Sequence, residues 1–97
     1  MATTIIDSFE QSLAHGGVWE LVVTDVARAN CRVGWLATVF DQVSDSIPEA
    51  MPETSSADIG DTSDVSFSVD KSGSLVRLCC VSTGSWTIKA NRRLLCL

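Results

Sequence analysis

Apolar residues recur at two different spacings along the chain, and the change from one to the other divides it. In the first part Ile5, Ile6, Phe9 and Leu13 follow helical spacing, behind a Thr4 and Asp7 pair with the shape of a capping box. Gly16 and Gly17 supply a left-handed stop, so a first helix is expected over residues 4–15, with Asp7 and Glu10 early, where the helix dipole favours acids. Residues 18–30 fit two patterns: Val18, Val22, Val26 and Ala29 mark a helical face, whereas Trp19, Leu21 and Val23 mark one face of a strand. Ala27, Arg28 and Ala29 tilt the choice to helix. From residue 33 onward, Leu36, Phe40, Val43 and Ile47 recur at intervals of four, three and four and stop before Pro48, which predicts another helix.

The last third alternates instead. Val65, Phe67 and Val69 interleave with Ser66, Ser68 and Asp70, the pattern of a half-buried strand. Lys71 to Ser74 is a natural hairpin turn, with Gly73 able to take positive φ, and residues 75–82 continue as a second strand. A turn at residues 83–85 then leads into a third strand from Trp86. Between the two parts, residues 44–64 hold two prolines, one glycine and six carboxylates without sustained periodicity, the composition of a long loop. The expected fold is α+β: two or three N-terminal helices packed on a C-terminal three-stranded antiparallel meander, joined by a long acidic loop. At 97 residues the chain is expected to be a single small domain (1–97), with 44–64 a flexible acidic loop.

Charge sharpens this division. Residues 41–70 carry eight carboxylates and no Lys or Arg, while residues 71–97 carry five Lys or Arg and no carboxylate. With a net charge of −5, the whole molecule is a poor match for free nucleic acid or an anionic membrane, whose binding depends on neutralising phosphates. The acidic block suits a protein with a basic surface, such as a nuclease or other nucleic-acid enzyme. The candidate partner-binding residues are Asp41, Asp45, Glu49, Glu53, Asp58, Asp61 and Asp64.

Signals for other chemistry are weak. The spacing of Asp58, Asp61 and Asp64 does not match a calcium loop, and His15 is the only histidine and has no C-x-x-C pair to join in a zinc site. Cys79 and Cys80 are adjacent and would face opposite ways in a strand, which favours reduced thiols. No nucleophile elbow or phosphate loop is present, so neither enzymatic activity nor a cofactor is expected. The first ten residues lack a basic n-region and there is no apolar run of 18, consistent with a cytoplasmic protein that does not enter a membrane. Trp19, Trp35 and Trp86 are expected as core anchors, and any of them exposed beside the acidic stretch would be a candidate hot spot.

This profile of a short, acidic domain with reduced cysteines and no catalytic groups is similar to that of small prokaryotic or phage-encoded inhibitors, the toxin-immunity and anti-CRISPR proteins. The similarity is one of profile and carries no residues over. It implies a stoichiometric inhibitor that blocks a basic site of a nucleic-acid-handling enzyme. The alternative is a structural or assembly module that homo-oligomerises through its sheet edge and the apolar tail Leu94, Leu95, Cys96 and Leu97.

Overall fold

The computed structural model of the protein describes residues 2–41 and 47–97. Across these residues the chain forms eight strands, one turn of 3-10 helix and no α-helix. The strands are β1 (Ala2–Glu10), β2 (Gly16–Asp25), β3 (Cys31–Val39), β4 (Glu49–Ala50), β5 (Thr54–Ser55), β6 (Ser66–Ser72), β7 (Leu75–Ser82) and β8 (Trp86–Leu95), and the 3-10 turn (Gln11–Leu13) joins β1 to β2. They pair antiparallel in two sheets, one ordered β1-β7-β6 and the other β4-β3-β2-β8, with β5 also paired to β3. The inner faces meet in one core, where Phe9, Val76 and Leu78 of the three-stranded sheet pack on Trp19, Leu21 and Leu36 of the five-stranded one. A second cluster joins Val23 to Val65 and Cys80. Leu21, Leu36 and Leu78 are almost completely buried, and each contributes roughly 1.5–3 kcal/mol by leaving water.

This β-sandwich overturns the α+β expectation, and each expected helix fails for a local reason. Over residues 4–15 the helical spacing comes from a β-bulge. The β1–β7 register shifts between Ile5 and Asp7, so Thr4 and Ile6 face inward before the bulge and Asp7 and Phe9 after it. One inserted residue breaks the alternation and leaves Ile6 and Phe9, three apart, on one face, which imitates a helix. The segment 18–30 is β2 followed by a hairpin turn. Asp25 ends the strand by accepting hydrogen bonds from the backbone N–H of Ala29 (2.9 Å) and of Asn30 (3.2 Å), and Arg28 takes a left-handed conformation, φ 57°. Ala27, Arg28 and Ala29 therefore lie in a turn. The expected helix from residue 33 is β3 as far as Val39, and its members Val43 and the stretch around it fall outside the described residues.

The meander is corrected as well. β6 and β7 form the expected hairpin, with Gly73 at φ 57° in its turn. β8 leaves that sheet and pairs with β2 along its whole length, from Gly16 opposite Leu95 to Asp25 opposite Trp86. The inward alternation of Trp86, Ile88, Ala90 and Leu94 serves the core from the opposite layer. In a two-layer sandwich a strand joins whichever sheet its apolar face can close, and β2 offered a free edge.

Candidate interaction surface

Arg32 governs the stretch from residue 53 to 65. It points inward from β3, it is 9% exposed, and all five of its N–H groups are used. Two go to Glu53 in a bidentate pair (Nε to Oε2 2.9 Å, Nη2 to Oε1 2.8 Å), two to the carbonyl and hydroxyl of Thr62 (both 2.8 Å) and one to the Val65 carbonyl (3.0 Å). The guanidinium also lies 5.7 Å from the centre of the Phe67 ring. Gly34, the next inward residue of β3, makes room for this pair, since a Cβ there would collide with the Glu53 carboxylate. A buried guanidinium with one donor unmet would be costly, so this set of acceptors fixes the stretch against β3.

The acidic residues singled out from the sequence are scattered by the fold. Glu53 is the partner of Arg32. Asp58 accepts the backbone N–H of Thr62 (2.8 Å) and Asp61 that of Ser63 (2.9 Å), and these bonds hold both carboxyls below their ordinary range. Asp64 reaches across to the β7–β8 turn. It accepts hydrogen bonds from the Thr83 hydroxyl (2.6 Å), the Gly84 N–H (2.8 Å), the Thr83 N–H (2.9 Å) and the Trp86 indole (2.8 Å), which keep it ionised far below the usual carboxylate range. Glu49 is exposed on β4, Asp41 is exposed just after β3, and Asp45 lies outside the described residues. Asp58, Asp61 and Asp64 each serve a different turn, and no group of three His, Cys, Asp or Glu among the described residues could hold a metal ion.

The outward faces of the two sheets differ sharply. On the three-stranded sheet the outer positions of β6 are Ser66, Ser68, Asp70 and Ser72, and Asp70 forms a bidentate pair with Arg77 of β7 (both bonds 2.7 Å). On the five-stranded sheet the outer positions of β2 and β3 are largely apolar. Val18 lies opposite Ala37, Glu20 opposite Trp35, Val22 opposite Val33 and Gly16 opposite Val39. Val39 is 60% exposed, Val33 55%, Val22 45% and Trp35 44%. β8 borders this field with Lys89, Asn91 and Arg93, and β4 borders the far side with Glu49. Trp35 lies opposite Thr54 of β5, beside the acidic stretch, which is the position that marks a tryptophan as a hot-spot candidate.

Sequence reasoning did not assign these positions to a surface. The signal was the doubled apolar parity of β2 and β3: Trp19, Leu21 and Val23 fill the core, so Val18 and Val22 have no core left to fill. The three long strands β8, β2 and β3, about 4.8 Å apart and about 30 Å long, make a face of roughly 430 Å², within the range for the largest apolar patch on a monomer. Among the described residues no helix is long and apolar enough to cross a membrane. Comparison of the chain with known protein families, with curated proteins and with solved structures gave no match.

Proposed function

We propose that the protein is a non-enzymatic assembly module that acts by binding protein through the outer face of its five-stranded sheet. The observation that carries this reading is the exposure of Val22, Val33, Trp35 and Val39 on one continuous sheet face, while on the equivalent face of the other sheet the exposed Ile5 and Leu75 are interspersed with serines and the Asp70–Arg77 pair. Flat apolar faces rimmed by charge are what protein interfaces bury, and a tryptophan at the centre is the usual anchor. The apolar tail takes part on both sides of the sheet: Leu94 packs into the core, and Leu95 extends the outer row of Gly16 and Val39.

Inhibition through the acidic block has less support. Glu53, Asp58, Asp61 and Asp64 already accept internal hydrogen bonds, and giving these up to bind a basic groove would cost the turns they stabilise. Position-specific photo-crosslinking in the source cell tests the reading. A crosslinker at residue 33 or 39 should join the protein to another polypeptide, while one at residue 68 on the opposite sheet should not. Absence of adducts from 33 and 39, or equal adducts from 68, would overturn it.

A further inference from the structure

We propose, on the footing of that reading, that the occupant of the apolar face is a second copy of this chain, related by a two-fold axis parallel to the strands. The first observation concerns the tryptophans. Trp19 donates its indole N–H to Asp7 (2.9 Å) and Trp86 donates its own to Asp64 (2.8 Å). Trp35 has no side-chain acceptor among the described residues, and its cross-strand neighbour Glu20 carries a carboxylate that accepts no side-chain hydrogen bond there either. An indole donor and a carboxylate acceptor thus sit side by side on an exposed apolar face, each complementary to the other's group on a second copy. Such self-complementarity is the property of a two-fold interface, in which one patch must serve as both halves.

The charge pattern selects the axis. In the five-stranded sheet the order of strands places basic β8 at one edge and β4 with β5 at the other. A two-fold axis parallel to the strands lays β8 of one copy over β4 and β5 of the next, whereas an axis across the strands would lay β8 on β8. The first arrangement sets Arg93 of one copy two strand positions from Glu49 of the other, and the second opposes like charges. The same axis lies between β2 and β3 and sets the partners of each row over one another. Val22 then meets the second copy's Val33 and Glu20 meets its Trp35 N–H, with every contact made twice. Face-to-face sheets pack within about 30° of parallel, which keeps these rows in register near the centre. Two faces of roughly 430 Å² bury about 860 Å², the size of a weak interface that associates in the micromolar range rather than an obligate one.

Sedimentation equilibrium on the intact protein tests this directly. Wild type should be dimeric at about 10–100 μM, the range that separates micromolar association from none. Trp35→Phe, which keeps the ring and loses the N–H, and Glu20→Gln should each weaken dimerisation about tenfold, and the double variant should be no weaker than either alone. Trp35→Lys should weaken it at least about 30-fold. Both side chains are exposed in the monomer, so circular dichroism and the thermal midpoint under monomeric dilution report whether the variants remain folded. A wild type that stays monomeric would overturn the second copy, and so would a dimer indifferent to Trp35→Lys or additive losses in the double variant. If residues 33 and 39 nevertheless crosslink in the cell to a different polypeptide, the binding face survives and only the identity of its occupant falls.

Discussion

The two outer faces of this sandwich follow the same alternation and end differently. On the three-stranded sheet, the outward positions of β6 are serines and an aspartate paired with Arg77, side chains that water solvates well. On the five-stranded sheet the outward positions of β2 and β3 carry valines and a tryptophan, although the layer beneath is already filled by Trp19, Leu21 and Leu36. A sandwich needs one apolar face per sheet. The second apolar face has no role in closing the core, and its exposure is therefore the feature that points to a partner.

The largest effect is expected where the acidic edge of the apolar face is held in place. Arg32→Leu leaves Glu53 as a nearly buried unpaired carboxylate and strips Thr62 and Val65 of their donor. Breaking one side of a buried ion pair costs about 3–5 kcal/mol, so urea denaturation should show a loss of that order. The edge formed by β4 and β5 should lose hydrogen-exchange protection before β2 does.

Making the two faces alike comes next. Replacing Val22, Val33 and Val39 together by threonine keeps β-branched shape and strand propensity while removing the apolar field. Folding stability should change by no more than about 0.5 kcal/mol per site, as for ordinary surface substitutions. Association should fall by about 100-fold or more, on the order of two hot-spot contacts. The converse graft, Ser66→Val with Ser68→Val, should create a second adhesive face, seen as concentration-dependent light scattering in a protein that otherwise melts normally.

A smaller effect is expected from acid. Asp64 is held below its ordinary range first by the Thr83 hydroxyl and then by the Gly84 and Thr83 N–H groups and the Trp86 indole, so its carboxyl binds a proton less readily folded than unfolded. Its contribution is therefore complete above the unfolded value of about 4 and is lost as pH falls below it. Asp25, Asp58, Asp61 and Asp70 are shifted in the same direction and add to the trend. The thermal midpoint should drop steeply below about pH 4. In Asp64→Asn it should start lower at neutral pH and drop less. The smallest effect belongs to the polar face: Asp70→Asn removes a partly exposed pair and should cost no more than about 1 kcal/mol, with association unchanged.

What could be read in the sequence depended on how cleanly each strand alternates. β6 and β7 were legible because Phe67 and Val69 alternate with polar residues and Gly73 supplies the turn. β1 was not, because the bulge at Ile6 breaks the period of two and leaves Ile6 and Phe9 three apart on one face. β2 and β3 were obscured by the same residues that form the candidate surface. Val18 and Val22 outside and Trp19, Leu21 and Val23 inside satisfy helical and strand templates at once. The acidic block was visible, yet its meaning was set by distant partners: Asp64 meets Thr83 and Trp86, and Glu53 meets Arg32, contacts that no local spacing announces.

The most direct measurement is hydroxyl-radical footprinting of both outer faces, made in intact source cells and on dilute purified protein. If the apolar face is an interface, Val33, Trp35 and Val39 will be modified several-fold less in cells than in dilution, while Ile5 and Leu75 on the opposite sheet will react alike in both. Equal reactivity of Val33, Trp35 and Val39 in the two samples would contradict the account.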